Sequence, residues 1–397
     1  MNGKVIVGLS GGVDSSVAAA LLVERGFDVR GVYMKNWHSD DPKFKGVCPW
    51  EEDLRDARAV AARLDVPFEV WNFEKQYHDR VVRYFFSEYR RGRTPNPDVM
   101  CNKEIKFHAF LEKALKAGAD YVATGHYARI REITNYKLQI TNKIQNSKSP
   151  DVPIKTSGVG IPTSADRRDK FQNLNPNICL FAGIDKNKDQ SYFLWAIDKE
   201  VLPRVLMPVG DFTKPQIRRL ARSLHLPTAE KKDSQGICFI GPINVKEYLK
   251  TNLPTREGSI VNTNGEVVGR HDGVWFYTEG QRAGIGTTGG GVPYYIIEKK
   301  LADNILVVAS RRDPKLFARG LVAGELNWLV ATLPNKFAAL ARIRYRHALV
   351  PVKVVLEGKL ARVEFDTPQR AVTPGQSIVF YQKDLILGGG VIERPVL

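Results

Sequence analysis

The first third of the chain alternates short apolar runs with segments in which apolar residues recur at helical spacing. The apolar runs are rich in β-branched residues and predict strands at residues 4–9, 29–34, 68–73 and 121–125. The helical patterns lie between and after them, at residues 15–24, 52–64, 74–89 and 103–116. Strands that alternate with helices are typical of a doubly wound parallel α/β sheet with helices on both faces. Ligands of such a sheet bind beyond the carboxyl ends of its strands, so the loop residues there are the first candidates for a site.

Later parts of the chain have different patterns. Residues 134–177 are rich in Thr, Asn, Lys, Ser and Pro without apolar periodicity, which predicts a surface insertion before a strand at 178–182. The segment 208–233 carries six Lys and Arg residues against three acidic ones, which predicts a small basic helical module. Short strands recur beyond Gly258, and from Lys315 alternating apolar and polar residues predict a small antiparallel β-barrel. We therefore predict three domains, at residues 1–207, 208–314 and 315–397.

The most informative local feature is the turn Ser10-Gly11-Gly12-Val13-Asp14-Ser15-Ser16, which joins the first strand to the first helix. Gly11 and Gly12 allow backbone angles and close approaches that a side chain forbids, and the first N–H groups of the helix point at an anion. The turn lacks the Gly-Lys-Ser/Thr ending of a P-loop and the Gly-x-Gly-x-x-Gly spacing of dinucleotide sites. It resembles the PP-loop of ATP pyrophosphatases, which holds the β- and γ-phosphates while an acceptor oxygen is adenylated. An ordinary glycine-rich turn is the alternative interpretation.

Net charge and apolar run length limit the class of protein further. The 397 residues include 59 Lys and Arg against 43 Asp and Glu, a net charge of +16. This excess favours a polyanionic partner such as nucleic acid, and charge for solubility alone is the alternative. No apolar run approaches the roughly 20 residues that span a bilayer, and the chain enters a strand without a signal segment. We therefore expect a cytoplasmic protein without a membrane partner.

Four cysteines, Cys48, Cys101, Cys179 and Cys238, occur without a Cys-x-x-Cys pair. This spacing argues against a structural zinc site and against a secreted disulfide framework, so we predict no metal bound by the protein itself. We interpret Cys48 and Cys179 as structural, because an unpaired cysteine usually behaves as a small apolar residue.

Cys101 and Cys238 have local patterns that favour chemistry. Cys101 ends a proline-set loop three residues after Asp98, ahead of a predicted helix whose N-terminus would lower the pKa of the thiol. Cys238 lies in the polar, glycine-containing loop 231–241, where two adjacent lysines would favour a thiolate and attract phosphate. Each has an alternative: Asp98 caps backbone N–H groups while Cys101 packs inward, and Cys238 is buried at the start of a strand.

Together these segments resemble one family almost from end to end, the tRNA-specific 2-thiouridylases, which are tRNA-uridine 2-sulfurtransferases. Several long motifs in the same order carry the resemblance, which makes it more specific than any single motif. They lie at residues 10–16, 34–37, 92–98, 101–107, 123–129, 188–194, 231–241, 280–284, 344–346 and 371–376. The chain departs from the family pattern in the 134–177 insertion and at His347, where many relatives have Gln.

The resemblance implies roles for individual residues. ATP would be bound by Gly8, Leu9, Ser10, Gly11, Gly12, Val13, Asp14, Ser15, Met34 and Gly125. The target uridine would meet Asn96, Pro97 and Asp98. Other tRNA contacts would come from His126, Lys188, Asp189, Gln190, Arg344, Tyr345 and Gln376. Cys101 and Cys238 would be the two active cysteines, and the 231–241 loop of the central tRNA-binding domain would return to the active site.

The implied reaction begins with ATP and Mg²⁺. The C2 oxygen of the wobble uridine would be adenylated with release of pyrophosphate, which turns a poor leaving group into AMP. Cys238 would carry sulfur as a persulfide loaded by a sulfur-donor protein, and Cys101 would release it through a disulfide with Cys238 or by another nucleophilic route. Asp98 would orient the base or move a proton. The uridine would leave the anticodon stack to reach the site, and we expect the protein to act as a monomer.

Three other interpretations stay open at this point. A PP-loop amide synthetase would adenylate a small substrate and would need an ammonia source but no essential cysteine. A non-catalytic RNA-binding protein would retain the nucleotide fold without the chemistry, and its glycine turn would be expected to have decayed. An iron–sulfur cluster on Cys101, Cys238 and Asp98 would give visible absorbance after anaerobic purification.

Overall fold

The computed structural model describes residues 2–37, 50–133, 177–233, 244–282 and 293–397. Cys48, Cys238 and nearly all of the predicted 134–177 insertion lie outside these ranges. Within them, every helix is too short or too polar to cross a membrane.

Five parallel strands form the first sheet. They are β1 (Lys4–Gly8), β2 (Asp28–Lys35), β3 (Phe68–Asn72), β4 (Tyr121–Ala123) and β7 (Val205–Leu206), in the spatial order β3-β2-β1-β4-β7. The sequence pattern predicts the first four. The fifth has only two residues, which is too short for a recognisable apolar pattern.

Helices cover both faces of this sheet, which confirms the predicted doubly wound arrangement. On one face, α1 (Val13–Glu24) and α2 (Trp50–Arg63) share a core with Val5 and Val7 of β1. The other face packs against two longer helical segments, at residues 74–90 and 97–116. The first consists of α3 (Glu74–Tyr77), a π-helical turn (His78–Val82) and α4 (Arg83–Arg90). The second consists of α5 (Pro97–Met100), a π-helical stretch (Cys101–Ala109) and α6 (Phe110–Lys116).

The second of these segments begins at Pro97 and not at residue 103 as predicted. Pro97 takes the first helical position, where a missing N–H costs no bond, and the Asn96 side chain accepts from Val99 N at 3.3 Å. Cys101 is therefore the fifth residue of a continuous helical segment. The favourable effect of a helix N-terminus on an anion is confined to the first turn. The prediction that a helix N-terminus activates Cys101 thus loses its structural basis.

The basic segment after Pro208 packs against α1. It contains α7 (Lys214–Ser223), as the sequence predicts, and its apolar residues Ile217 and Leu226 share a core with Val17 of α1. The domain boundary that we predict at residue 208 therefore falls within a segment that packs with the first sheet and its helices.

A hairpin connects the first sheet region to the C-terminal barrel. Its strands are β5 (Ala128–Glu132) and β6 (Ile178–Ala182), the latter at the position predicted for a strand. Phe181 of β6 pairs with Leu385 of the barrel, so the hairpin extends the barrel sheet. The two flanks of the 134–177 insertion are thereby fixed next to the barrel.

The central part of the chain contains α8 (Val245–Lys250) and a small sheet. The strands are β8 (Gly258–Val261), β9 (Val267–His271), β10 (Tyr294–Lys300) and β11 (Ile305–Ser310), in the order β10-β11-β8-β9. Their core includes Ile260, Ile296 and Leu306. Tyr248 of α8 instead packs with Phe86 of α4, so this helix attaches the central part to the first domain.

Six antiparallel strands close into the predicted C-terminal barrel. They are β12 (Phe317–Trp328), β13 (Lys336–Arg342), β14 (Val350–Glu357), β15 (Leu360–Arg370), β16 (Ser377–Gln382) and β17 (Leu385–Val396). Closure comes from the pairing of β12 with β17. Short 3-10 turns complete the described elements, at Ser191–Phe193, Lys199–Arg204, Val274–Phe276 and Pro314–Leu316.

Candidate active site

The glycine turn forms a compact, serine-lined bend at the start of α1. Ser15 Oγ donates to the carbonyl oxygen of Gly12 at 3.0 Å and accepts from Ser10 N at 3.1 Å. Ser16 Oγ donates to the same carbonyl at 2.8 Å. No described side chain caps the N-terminus of α1, so its first N–H groups are available to an anion. The bend therefore has the donors that a phosphate group needs.

Glycines at the ends of β1 and β4 let neighbouring segments reach this bend. A Cβ on Gly8 would lie 2.9 Å from the Met34 methyl carbon, and a Cβ on Gly125 would lie 2.6 Å from Ser15 N. The second contact is with backbone, which cannot move without shifting the bend. Gly8, Met34 and Gly125 thus lie beside the serine turn, and their binding of ATP stays a prediction.

Helix α2 approaches the bend from another side. Gly11 has φ +76°, and a Cβ there would lie 2.3 Å from the carbonyl oxygen of Asp53, so both conformation and contact require glycine. Asp53 and Asp56 of α2 accept hydrogen bonds from Lys231 Nζ, at 2.7 Å for Asp53. Lys231, which we predict to attract phosphate beside Cys238, is therefore neutralised by two carboxylates.

The carboxylate of Asp14, in the first turn of α1, is held by side chains from two distant segments. Tyr127 Oη donates to it at 2.7 Å, and Lys214 Nζ donates to its two oxygens at 2.7 and 2.8 Å. The same Nζ lies 2.8 Å from Asp233 Oδ1. Lys214 therefore connects the glycine bend to Asp233, which is the last described residue before Cys238.

The segment that ends at Asp233 is anchored around the bend at several points. Thr228 Oγ1 donates to Ser16 Oγ at 2.9 Å, and Arg218 donates to Asp233 at 2.9 Å. Lys188, which we predict to contact tRNA, also pairs with Asp233. Burial alone would raise the pKa of Asp233, but the bonds from Lys188 and Lys214 outweigh burial and hold the pKa at about 2. Asp233 is therefore ionised at neutral pH.

The loop that carries Asn96, Pro97 and Asp98 is held by the barrel. Gln376 Nε2 donates to the carbonyl oxygens of Thr94 and Pro95, at 2.9 and 3.2 Å. Cys101 follows one turn later with its side chain fully buried in the core beside the first sheet. The inward packing that we considered as the alternative for Cys101 is thus what the structure shows. Gln376 supports the loop, and its contact with tRNA stays a prediction.

Three residues that we predict to contact tRNA make contacts within the protein, and two of them, His126 and Asp189, are buried. His126 bonds through Nδ1 to Thr124 Oγ1 at 2.8 Å, and burial lowers its pKa well below the usual value. Asp189 is 2% exposed and pairs with Arg342 at 3.3 Å. Gln190 Oε1 accepts from Tyr127 N at 2.9 Å. In this arrangement at least one polar atom of each residue serves an internal contact, and a direct tRNA contact by them stays a prediction.

Arg344 and Tyr345, which we predict to contact tRNA, lie where the central part meets the barrel. Arg344 donates to the carbonyl oxygens of Glu279 and Ala371, at 3.0 and 3.2 Å. Tyr345 packs on Phe193 with ring centroids 4.5 Å apart. Both residues therefore fasten described segments to one another.

Sequence reasoning assigns no role at the bend to Tyr127 or Lys214. Thr213 and Gln216 form a capping box around the start of α7, and Lys214 lies between them. This pattern indicates a helix start and no role for Lys214 at the bend. Its partner Asp14 is 200 positions away, so no local signal connects them. Among the described residues, no group of three or more His, Cys, Asp or Glu is placed to hold a metal ion.

The parallel sheet, the serine-lined glycine bend at a helix start and the absence of a P-loop lysine define a nucleotide-binding domain of the PP-loop class. Family models agree: a tRNA methyl transferase HUP domain matches residues 3–151 and 167–242. A tRNA methyl transferase PRC-barrel domain matches residues 246–310, and an aminomethyltransferase beta-barrel domain matches residues 318–392.

Full-length relatives give the family a more specific name. The chain is 45% identical to the tRNA-specific 2-thiouridylase MnmA of Enterococcus faecalis, over 98% of this chain and 95% of that protein. It is 45% identical to the MnmA of Legionella pneumophila strain Paris, over 100% of both chains. The chain therefore belongs to the family of tRNA-specific 2-thiouridylases, as its motifs predict. A solved 4-thiouridine synthetase–RNA complex with bound ATP aligns at a TM-score of 0.31 and 18% identity, too low to inform the site.

Proposed function

We propose that this protein uses ATP to replace the C2 oxygen of the wobble uridine of tRNA with sulfur. Family membership and the PP-loop bend support the thiolation of tRNA with ATP. One observation carries the assignment of residues. Lys214 ties Asp14 of the bend to Asp233, so the segment that leads to Cys238 starts beside the phosphate-binding turn.

The first step is activation of the uracil carbonyl. An oxygen on C2 is a poor leaving group, and adenylation by ATP converts it into AMP. The N–H groups at the start of α1 bind the departing pyrophosphate. Mg²⁺ enters as part of the ATP substrate. Two carboxylates lie near the glycine bend. Asp14 is bonded to Lys214 and Asp53 is bonded to Lys231, so we assign neither carboxylate to Mg²⁺.

In the second step, Cys238 and Cys101 transfer sulfur to the activated uridine. Cys238 comes five residues after Asp233, so chain geometry limits the separation of their Cα atoms to about 18 Å. The terminal sulfur of a Cys238 persulfide attacks C2, and AMP leaves. Cys101 is fully buried in the described structure, so its segment must open before the next step. The Cys101 thiolate then attacks Cys238 Sγ, which breaks the S–S bond, leaves sulfur on C2 and forms a disulfide. Two external thiols, or one dithiol, supply the two electrons that reduce this disulfide and are themselves oxidised to a disulfide. Asp98 orients the base or moves a proton.

The substrate and partners follow from charge and chemistry. A net charge of +16 suits a tRNA, whose uridine leaves the anticodon stack to reach the site. We also propose that a sulfur-donor protein loads Cys238, and that the enzyme acts as a monomer in the cytoplasm. The division into domains 1–207, 208–314 and 315–397 stays part of this proposal.

The decisive test is thiolation in a purified system. The protein is incubated with ATP, Mg²⁺, a sulfide source or persulfide donor and unmodified tRNA, and digested nucleosides are analysed for 2-thiouridine. We expect product at the wobble position that depends on ATP. Cys238→Ser and Cys101→Ala should lose activity with the persulfide donor. Cys179→Ala is the matched control, because Cys179 is also buried, burial raises its pKa to about 11, and it packs in the core of the barrel. Full turnover by either active-cysteine variant would contradict the proposal.

A further inference from the structure

A buried amide without hydrogen bonds lies at the edge of the sheet where the site is. Asn36 follows β2 by one residue, and only 2% of it is exposed. Among the residues that the structure describes, neither its Nδ2 nor its Oδ1 has a hydrogen-bond partner. Both groups would be hydrated in the unfolded chain, so their burial costs free energy that the protein itself does not recover.

The position of Asn36 connects it to the candidate site. Side chains of β2 alternate between the faces of the sheet, and Val32 and Met34 pack in the core that also contains Cys101. Alternation places Asn36 on this same face, one step beyond Met34 at the carboxyl end of the strand. Ligands of a parallel sheet bind at this end.

The neighbours of Asn36 hold its backbone in place. Lys35 pairs with Glu74 at 3.1 Å, and its Nζ lies 5.0 Å from the centre of the Trp50 ring. Trp37 packs edge to face against Tyr248, with ring centroids 6.4 Å apart. These contacts of both flanking residues hold the backbone at Asn36 in place.

The unpaired Nδ2 donor and Oδ1 acceptor of Asn36 limit the class of ligand that could bind there. A phosphate would satisfy only the Nδ2 donor, and a cation would satisfy only the Oδ1 acceptor. A nucleobase edge presents a donor beside an acceptor and satisfies both. Uracil does so with N3–H beside a ring carbonyl, and adenine does so with its amino group beside N1.

We infer that Asn36 anchors a nucleobase by a pair of hydrogen bonds, with Nδ2 donating to the base and Oδ1 accepting from it. The inference rests on the proposed function, which supplies two bases, the adenine of ATP and the uracil of tRNA. Asn36 is then a base-positioning residue: it lies within the 34–37 motif, but none of the residue roles carried over from the family includes it.

The test compares two buried asparagines. Asn36→Leu replaces the amide with an apolar side chain of similar size, and Asn36→Asp keeps an acceptor but removes the donor. Asn102 is the matched control, since it is equally buried and its Oδ1 also lacks a partner among the described residues, but its Nδ2 donates to the Phe193 carbonyl at 3.1 Å. Asn102→Leu leaves that carbonyl unpaired and should lower the melting temperature of the ligand-free protein by about 2–4 °C. Asn36→Leu should not lower it.

Binding of ATP alone and of unmodified tRNA alone is then measured directly for each Asn36 variant. We expect affinity for one ligand to fall at least tenfold, which is about 1.4 kcal/mol, while the other changes less than twofold. Loss for ATP assigns the contact to adenine, and loss for tRNA assigns it to uracil. Unchanged affinity for both, equal loss for both, or a melting-temperature drop as large as that of Asn102→Leu overturns the inference. These binding assays need no sulfur transfer, so failure of thiolation would overturn the proposed function separately.

Discussion

Lys214 Nζ donates to both carboxylate oxygens of Asp14, at 2.7 and 2.8 Å, across 200 positions of the chain. The bond joins the first turn of α1 to the start of α7. Because the same ammonium also reaches Asp233, the phosphate bend and the approach to the Cys238 loop share one cation. This relationship leads to the first prediction.

Replacement of Lys214 by Met should weaken both stability and ATP use. The variant leaves two carboxylates without their shared donor, and we expect the free energy of unfolding to fall by about 2 kcal/mol. We also expect kcat/KM for ATP to fall at least tenfold, because Asp14 then keeps only the hydrogen bond from Tyr127. Chemical denaturation and initial rates measure the two effects. The control is Lys186→Met, which removes a largely exposed pair with Asp384 and should change stability by less than about 1 kcal/mol. Equal behaviour of the two variants would contradict this prediction.

Substitution of Gly125 by Ala should impair the bend directly. The added Cβ would lie 2.6 Å from Ser15 N, so the backbone of the phosphate turn must shift. We expect at least tenfold weaker ATP binding, measured by calorimetry without tRNA. Gly118→Ala is the matched control. Gly118 has φ +84° and nothing within 4 Å of an added Cβ, so the substitution strains the backbone by about 1–2 kcal/mol and leaves ATP binding unchanged. Normal ATP affinity in Gly125→Ala would contradict this prediction, because the bend would then bind ATP despite the shift.

Acid should remove the stability that Asp233 contributes. Its pKa is lowered in the folded state to about 2 from an ordinary value of 3.8, so the ionised carboxylate favours folding. The contribution is complete above about pH 4 and disappears as pH falls toward 2. We expect Asp233→Asn to be less stable than the parent protein at pH 7 and equally stable at pH 2, by denaturant titration. A constant difference between the two proteins across this range would disprove the electrostatic explanation.

Affinity for tRNA should depend steeply on salt. Binding to phosphates releases counterions, and a protein with several Lys and Arg contacts loses at least about tenfold in affinity between 50 and 200 mM salt. Filter binding with unmodified tRNA measures the slope. An affinity that is constant over this range would exclude the basic surface as the main source of binding.

Local sequence patterns predict most of the architecture. The apolar runs that become β1 to β4, the helical spacing of α1 and α2, and the alternation in the barrel strands each follow from neighbouring residues. The glycine bend is likewise local, because Gly11 needs a positive φ that other residues adopt at a cost. The boundary of one helix differs from the prediction: the proline-rich loop before Cys101 starts a helix, because Pro97 suits the first helical position.

The sequence by itself therefore determined the strands, most helices, the phosphate bend and the family, because these depend on local spacing and on motifs in a given order. Only the tertiary structure decided that Lys214 joins Asp14 to Asp233, that α7 packs on α1, and that Asp189 is enclosed beside Arg342. These contacts join residues far apart in the chain, and they form only where helix faces and strand edges meet. A linear pattern of residue types does not specify which of many charged side chains will become partners once those surfaces are packed.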